Sequence, residues 1–288
     1  MKTIVVTGAS AGIGREVARG AAARGARVIL VCRDRARGER AQAELRRTVS
    51  TGTLELVVAD LASLLDVRRL AEILTRRLER LDVLVHNAGV VTPTRETTED
   101  GFERTFATNH LAPFLCTHLL LPLLRRSAPS RVVVVASQVE ARGDIHFDDL
   151  QQERSFEPLR AYDQSKLANV MFTLALARHL EGTGVSVNCL HPGVLATNLL
   201  CDYLGRPRVA SLAHRFTHPG PARGAEHVLR LAFDPALNGV TGRYFHEGRE
   251  RPSSPRSRDV ELQERLFRRS AELVGLELAA ESSAEPVR

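Results

Sequence analysis

The chain lacks tryptophan and has little of several other residue types. Among its 288 residues are three tyrosines, two methionines, two lysines and four cysteines. It has no run of 18 apolar residues, which argues against a membrane-spanning helix. Hydrophobic residues make up 43% and charged residues 26% of the chain, which excludes a disordered or collagen-like chain. The composition predicts a soluble globular domain of enzyme size.

The few cysteines indicate a reducing compartment. Cys32, Cys116, Cys189 and Cys201 show no C-x-x-C spacing, which favours free thiols. Residues 1–7 are too short for a signal peptide before Gly8 and predict the first strand instead. We therefore expect a cytoplasmic protein with no N-terminal anchor and no membrane span.

Positive charge is in excess, with a formal net charge of +6, and 38 of the 40 basic residues are arginine. These arginines are spread along the whole chain. A nucleic-acid-binding protein concentrates its charge on one face or motif. We therefore predict no nucleic-acid partner, and a homo-oligomer is compatible with the sequence.

Apolar runs of strand length alternate with longer amphipathic stretches. The runs are rich in successive Val, Ile and Leu, as parallel strands buried on both faces require. Strands are predicted at 3–7, 27–32, 54–59, 83–86, 131–136, 185–190 and 241–245, and helices at 13–24, 35–48, 63–80, 98–126, 161–182 and 221–233. The predicted fold class is α/β: a single Rossmann-type, doubly wound domain with a mainly parallel seven-stranded sheet and helices on both faces.

The chain divides into a catalytic domain, residues 1–245, and a C-terminal extension, residues 246–288. The domain includes a substrate loop at about 193–220, and its large apolar side chains predict a lid over a hydrophobic substrate. The alternative is that they pack against the core. The extension begins with an Arg/Pro/Ser-rich stretch, has a predicted helix at about 259–274 and ends in a disordered tail.

A glycine-rich turn joins the first predicted strand to the first helix. Residues 7–14 read T-G-A-S-A-G-I-G. Glycines permit the tight turn, the close approach of a pyrophosphate and the packing of the helix against the sheet. The helix N-terminus offers free N–H groups to the anion. The predicted cofactor contacts here are Gly8, Ser10, Ala11, Gly12, Ile13 and Gly14.

The same turn contains G-x-S-x-G, the nucleophile-elbow pattern of α/β-hydrolases. A hydrolase elbow needs an oxyanion-hole loop from an earlier strand, and only seven residues precede Gly8. A serine hydrolase acting through Ser10 is therefore the less favoured alternative.

The tip of the second strand bears on the choice of dinucleotide. An acidic residue there would bind the ribose 2′-hydroxyl of NAD, but this chain has Cys32 followed by Arg33. A neutral tip and a guanidinium suit a 2′-phosphate, with Arg15 in the first helical turn as a second cation. We predict NADP(H), while Asp34 keeps NAD open if the strand ends later.

Four groups predict an active site at the carboxyl edge of the sheet. Tyr162 and Lys166 lie four apart on one helix face, and an ammonium beside a phenol favours the phenolate and so allows proton exchange. Ser137 follows the fifth strand and could polarise a carbonyl. Asn87-Ala88-Gly89 and Asp60 follow the fourth and third strands, at the edge where open α/β sheets bind ligands.

With these motifs the chain resembles the short-chain dehydrogenase/reductase family over about residues 3–245. The resemblance implies a tetrad of Asn109, Ser137, Tyr162 and Lys166, in which the Asn bends its helix and holds a relay water, and the Lys also binds the nicotinamide ribose. It implies that Asp60, with Leu61 beside it, holds the adenine. Further implied cofactor contacts are Asn87, Ala88, Gly89, Pro192, Gly193, Leu195 and Thr197.

Within the family, the chain is similar to the retinol-dehydrogenase-like branch. The similarity lies in residues 109–114 (NHLAPF), residues 162–170 (YDQSKLANV), residues 191–194 (HPGV) and the 24 residues between Ser137 and Tyr162. Two positions depart from the family pattern: His86 replaces the first Asn of N-N-A-G, and Ala136 replaces the first of a usual Ser pair.

The predicted function is an NADP(H)-dependent oxidoreductase acting on the carbonyl or alcohol carbon of a hydrophobic aldehyde, ketone or retinoid-like molecule. The alternative is a non-catalytic NADP(H)-binding regulatory protein, which would not need Tyr162 and Lys166 together. No metal site is predicted, since no Glu joins His214 and His218 in an H-E-x-x-H arrangement. His86 and His191 are expected to be hydrogen-bonded structural residues.

Overall fold

The computed structural model describes residues 1–193 and 220–278. Leu195, Thr197, His214, His218, most of the predicted lid and most of the predicted tail lie outside these residues. The strands are β1 (Thr3–Thr7), β2 (Arg27–Cys32), β3 (Thr53–Val58), β4 (Val83–His86), β5 (Ser130–Val135), β6 (Val185–His191), β7 (Arg243–His246) and β8 (Arg249–Arg251). The α-helices are α1 (Gly12–Ala23), α2 (Arg35–Thr48), α3 (Leu64–Arg77), α4 (Arg104–Phe106), α5 (Ala112–Arg126), α6 (Pro158–His179), α7 (Pro221–Phe233) and α8 (Val260–Leu273).

The strands form one sheet in the order β3-β2-β1-β4-β5-β6-β7-β8, and β1 to β7 are parallel. Its two faces carry separate hydrophobic clusters. In β1, Val5 belongs to one cluster, while Ile4 and Val6 belong to the other. One cluster includes residues of α3, α5, α6 and α8, and the other includes residues of α1, α2 and α7. The predicted doubly wound α/β fold is confirmed.

The sheet has eight strands where the sequence predicts seven. The additional strand, β8, pairs antiparallel with β7 through a two-residue turn at Glu247 and Gly248. Both turn residues have positive φ, 47° and 77°, as a tight hairpin requires. Because β8 is short and exposed, with the sequence RER, it lacks the apolar run on which strand prediction depends.

The helix predicted at 98–126 begins later, at Arg104. Glu103 caps it, because its two carboxylate oxygens accept hydrogen bonds from the backbone N–H groups of Thr105 and Phe106, each at 2.7 Å. Upstream, Gly101 has φ +84°, which a helix cannot contain. After α4 the chain passes through a π-helical turn (Ala107–Leu111) into α5.

The C-terminal helix α8 packs on the same hydrophobic cluster as α5 and α6. The ring centroid of Phe267 lies 5.0 Å from that of Phe114, and the His110 Nε2 lies 2.8 Å from the Ser270 Oγ. The C-terminal extension is therefore packed against the hydrophobic core on one face of the sheet. No helix among residues 1–193 and 220–278 is long and apolar enough to cross a membrane.

The order of the strands reverses between β1 and β4. From β1 the chain winds outward to β2 and β3, and from β4 it winds the other way to β5, β6 and β7. The loops after β1 and β4 therefore diverge to opposite faces of the sheet. Such a switch point opens a crevice at the carboxyl ends of the strands, where α/β folds bind their ligands.

Candidate active site

The glycine-rich turn after β1 is packed against the loop after β4. Gly8 has φ +67°, and a Cβ there would lie 2.9 Å from the Ala88 Cα. A Cβ at Gly14 would lie 2.5 Å from the Gly8 carbonyl oxygen and 2.4 Å from the Asn87 Nδ2. No larger residue fits at either position without displacing backbone, so these glycines bring α1 and the two loops together.

Thr7 and Asn87 join the two loops by hydrogen bonds. The Thr7 Oγ1 accepts from the backbone N–H groups of Asn87 and Ala88, at 3.0 and 3.1 Å. The Asn87 Nδ2 donates to the Thr7 carbonyl oxygen at 2.8 Å. The structure thus holds the predicted Asn87 and Ala88 at the switch point. Thr7 was not among the predicted site residues, although it stands first in T-G-x-x-x-G-x-G.

The N-terminus of α1 is open to a ligand. Its N-cap residue, Ala11, provides no side-chain hydrogen bond, so no side chain caps the first-turn N–H groups. Gly12 has φ +57° with open space around its Cβ position. This is the geometry that attracts a phosphate group.

At the tip of β2, Cys32 is buried and contacts Ser10. Burial raises the pKa of the Cys32 thiol to about 11, against the lowering effect of hydrogen bonds with Ala9 and Ser10. The thiol is therefore neutral at pH 7. Among the described residues, no hydrogen bond joins Ser10 to a histidine, which a serine nucleophile would need.

Two charged residues follow Cys32, and both are exposed. Asp34 caps α2, since its Oδ1 accepts from the Arg37 backbone N–H at 2.7 Å. Arg33 forms no ion pair with any described carboxylate. The Arg15 guanidinium is paired with Glu44 at 3.0 Å, so the predicted second cation already has an anionic partner.

After β3, the Asp60 carboxylate shapes its own turn. Its Oδ1 accepts from the Ala62 backbone N–H at 3.0 Å, and the Asp60 backbone N–H donates to the Asp66 carboxylate at 3.1 Å. Leu61 beside it is 7% exposed. These contacts hold the Asp60 carboxylate at the carboxyl edge of the sheet, at the end of the strand next to β2.

Lys166 is the most strongly perturbed cation of the site. It is 2% exposed, and its Nζ donates to the Val135 carbonyl oxygen at 3.0 Å. The same Nζ lies 5.4 Å from the centroid of the Tyr162 ring. Because burial penalises the ammonium, the pKa of Lys166 is lowered to about 8.

Asn109 lies in the π-helical turn and is fully buried. Its Oδ1 accepts from the Val90 backbone N–H at 2.8 Å, and its Nδ2 donates to the Val90 carbonyl oxygen and to the Ser165 Oγ. Ser165 Oγ in turn donates to the Tyr162 carbonyl oxygen at 2.7 Å. Asn109 thus connects the loop after β4 to the helix that carries Tyr162 and Lys166.

Gly89 lies beside two members of the predicted tetrad. A Cβ at Gly89 would be 3.5 Å from both the Asn109 Oδ1 and the Lys166 Nζ. Ser137 begins a 3-10 turn two residues after Val135, and its Oγ accepts from the Val139 backbone N–H at 3.4 Å. Ser165 and the Val135 carbonyl were missed by the sequence analysis, although Ser165 lies within the segment from Tyr162 to Lys166.

The expectation for the two strand-ending histidines is confirmed for one and wrong for the other. The His86 Nε2 lies 2.7 Å from the Thr117 Oγ1, and burial lowers the pKa of His86 to about 3. His191 is 4% exposed, but neither of its ring nitrogens has a hydrogen-bond partner in the part of the chain that the structure describes. Burial lowers the pKa of His191 to about 4, so the ring is neutral. Pro192 and Gly193 follow it at the same edge.

The chain is similar to characterised proteins and solved structures over nearly its whole length. Residues 2–203 match the family model described as short chain dehydrogenase. Retinol dehydrogenase 14 from Homo sapiens is 44% identical over 96% of this chain and 87% of its own length. An uncharacterised protein from Mycobacterium Paratuberculosis is 32% identical, with a TM-score of 0.78 over 97% of this chain and 95% of that one.

A cofactor complex is also among the similar structures. The RhlG/NADP active-site complex from Pseudomonas aeruginosa is 29% identical, with a TM-score of 0.68 over 85% of this chain and 94% of that one. The likeness therefore extends over most of the chain.

Proposed function

The chain belongs to the short-chain dehydrogenase/reductase family, and from this premise we propose that it is an NADP(H)-dependent oxidoreductase acting on the carbonyl or alcohol group of a hydrophobic small molecule. Membership makes the chain an oxidoreductase of the branch that contains the retinol dehydrogenases. The proposal rests above all on the buried connection from Asn109 through Ser165 to Tyr162 and Lys166. We assign this activity to residues 1–245, with 246–288 as an extension.

The residues at the switch point fit a dinucleotide. Side chains at Gly8 and Gly14 would fill the space that the turn needs, and the N-terminus of α1 has no side-chain cap. The backbone from Gly8 to Gly14 would hold the pyrophosphate, and Ser10 would bind a phosphate oxygen. Asp60 and Leu61 would hold the adenine, while Asn87, Ala88 and Gly89 would line the cleft toward the nicotinamide.

Three features of the tip of β2 favour NADP(H) over NAD(H). The Cys32 thiol is neutral, so no anion stands where a 2′-phosphate would bind. Asp34, the one acidic candidate for a ribose contact, caps α2. The exposed Arg33 has no ion pair among the described residues and can grip a phosphate bidentately.

When bound, the nicotinamide would supply or accept the hydride. In the direction of carbonyl reduction, the Tyr162 hydroxyl would donate a proton to the substrate oxygen, and in the reverse direction the phenolate would take it back. The Lys166 ammonium, desolvated and held at the Val135 carbonyl, would stabilise the phenolate. Lys166 would also bind the nicotinamide ribose. The Ser137 hydroxyl would polarise the substrate oxygen.

Asn109 would act as a positioning residue. Both polar atoms of its side chain form hydrogen bonds, which join Val90 to Ser165. Asn109 therefore holds the helix of Tyr162 at a fixed distance from the loop after β4. We further assign it the support of the proton relay to solvent. Pro192, Gly193, Leu195 and Thr197 would bind the nicotinamide amide.

A hydrophobic substrate is supported by the sequence and by a relative. Residues 194–216 contain nine large apolar side chains within 23 positions: Val194, Leu195, Leu199, Leu200, Tyr203, Leu204, Val209, Leu212 and Phe216. The similar protein from Homo sapiens is called a retinol dehydrogenase, and retinol is an apolar alcohol. We therefore propose aldehydes, ketones and retinoids as the substrate class.

The test is to follow NADPH oxidation with a graded panel of aldehydes, ketones and retinoids, with NADH in parallel. Turnover with NADPH on apolar carbonyls is expected. NADPH binding without turnover on any member would favour a regulatory binding protein. Ester hydrolysis that disappears in Ser10→Ala would favour the hydrolase. A cytoplasmic location and a homo-oligomer stay predictions, for fractionation and light scattering respectively.

A further inference from the structure

We propose that His191, His246 and Glu247 form a binding site for a divalent transition metal of the zinc class, at the carboxyl ends of β6 and β7. The site uses none of the proposed catalytic residues Ser137, Tyr162 and Lys166, and it lies beside Gly193, a proposed cofactor contact. The ligand atoms of its three residues all lie within 4.8 Å of one another.

The two histidines are brought together by the register of the sheet. His191 ends β6 and His246 ends β7, and the two residues pair directly across these parallel strands. Paired residues in neighbouring strands project from the same face of the sheet. Their ring centroids lie 4.9 Å apart, with the rings inclined at 67°. Two imidazoles therefore converge at one point of the sheet edge.

Glu247 adds a carboxylate from the turn between β7 and β8. Its backbone N–H donates to the His191 carbonyl oxygen at 3.0 Å, and its Oε1 lies 3.2 Å from the Cβ position of Gly193. Its φ is +47°, a left-handed conformation that such turns usually give to Asn, Asp or Gly. A glutamate held in this conformation is explained if its carboxylate is needed there.

The histidines of this region have unused ring nitrogens. Within residues 1–193 and 220–278, neither ring nitrogen of His191, which is 96% buried, has a hydrogen-bond partner, and the Nε2 of His227 has none either. Buried polar atoms are nearly always paired, so a metal ion bound at one ring nitrogen of His191 would account for that unpaired atom. A Cβ at Gly248 would lie 2.7 Å from the Nδ1 of His227. The ring of His227, which belongs to α7, therefore also approaches this turn.

Two imidazole nitrogens and one carboxylate are a known ligand set for Zn²⁺, with the fourth position left to water or another ligand. Ligand atoms of a tetrahedral zinc site lie about 3.3 Å apart, given bonds of about 2.0–2.1 Å. In the structure these ligand atoms lie within 4.8 Å of one another. Rotation of the side chains of the half-buried His246 and the exposed Glu247 would shorten these distances to those of a zinc site. The sequence shows no metal motif here, because residues 191 and 246 are far apart along the chain.

The experiment is a calorimetric titration of chelator-treated protein with Zn²⁺, beside His246→Ala and Glu247→Gln. We expect about one Zn²⁺ per chain, an affinity at least about tenfold weaker in each variant, and a Zn²⁺-dependent rise in Tm that both variants lose. His246 and Glu247 are the residues to change because neither is fully buried. Co²⁺ in place of Zn²⁺ should give the intense visible bands of a tetrahedral site in the wild type and not in His246→Ala or Glu247→Gln.

The matched control is His179→Ala, which removes a surface histidine whose Nε2 lies 3.0 Å from the Glu264 carboxylate. This variant should bind Zn²⁺ as the wild type does. The proposal is overturned if the wild type takes up no stoichiometric Zn²⁺, if both site variants keep its affinity, or if His179→Ala weakens binding as much as they do.

Discussion

The two ends of the proposed cofactor cleft are built in opposite ways. At the catalytic end, Asn109, Tyr162 and Lys166 are at least 94% buried, and hydrogen bonds within the chain hold them. At the adenosine end, Arg33 is exposed and forms no ion pair with a described residue. The buried groups proposed for catalysis are therefore held by the chain itself, while the proposed adenosine end keeps a cation that has no ion-pair partner among the described residues.

This difference follows from what each end must do. Proton transfer is sensitive to changes of a few tenths of an ångström in the donor–acceptor distance and is favoured by a low dielectric, so its groups need rigid, buried partners. Recognition of a 2′-phosphate needs only an unshielded guanidinium that can close on the anion. Substitutions at the two ends should therefore affect different kinetic parameters.

The largest expected effect is at the catalytic end. Tyr162→Phe removes the proton donor and should lower kcat by at least about 10²-fold, the usual contribution of a general acid. Steady-state NADPH oxidation measures kcat, and fluorescence titration measures the affinity for NADPH. That affinity should stay within a few-fold of wild type, because the hydroxyl contacts the substrate. Turnover close to the wild-type rate would contradict the assignment.

The adenosine end should show the converse. Arg33→Ala removes a charge-assisted hydrogen bond and should weaken NADPH binding by about 1.5–3 kcal/mol, or roughly 10- to 160-fold, with NADH binding and saturated kcat little changed. Arg76→Ala is the matched control, since Arg76 is an exposed arginine on α3 paired with Glu72 at 3.6 Å. Equal losses for NADPH and NADH would show that Arg33 does not recognise the 2′-phosphate.

The sequence predicted the parallel part of the fold because those strands are continuous apolar runs. It failed at β8, whose pairing depends on a two-residue turn and on the neighbouring strand rather than on its own hydrophobicity. It also began the helix of Asn109 too early, since helical periodicity continues across Gly101, where φ is positive. The first error lies where pairing with a neighbouring strand decides the structure, and the second lies where a glycine turn and the Glu103 cap interrupt the helical pattern.

At the site, the sequence indicated the groups whose chemistry is distinctive and missed the ones that hold them. Tyr162 and Lys166 are conspicuous at four-residue spacing, whereas the Val135 carbonyl that binds Lys166 is a backbone atom with no sequence signal. The proximity of His191 and His246 follows from strand register, which one strand's sequence does not contain. Spacing along the chain therefore reveals clusters on one helix and hides clusters across strands.

A third prediction uses pH to distinguish the two ends. Burial lowers the pKa of Lys166 to about 8, so the ammonium is present below pH 8 and is lost above it. Without that charge the phenolate of Tyr162 is no longer stabilised, and kcat/KM should fall above about pH 8, by up to about tenfold per pH unit. The profile of Lys166→Arg, whose side chain keeps its charge, should lack this limb. If the limb persists unchanged in that variant, Lys166 is not the titrating group.

The smallest effect concerns the apolar part of the substrate. If the apolar side chains of residues 194–216 cover the substrate, each methylene that enters the pocket is removed from water and contributes up to about 0.8 kcal/mol. Along a series of straight-chain aldehydes, kcat/KM should then rise by up to about fourfold per methylene until the pocket is full, while the affinity for NADPH stays constant. Steady-state kinetics on the series with NADPH measures this slope. If these side chains pack only against the core, the series should be flat. A flat or falling series, or a preference for sugars or hydroxy acids, would therefore contradict a hydrophobic substrate and leave the predictions for Tyr162 and Arg33 intact.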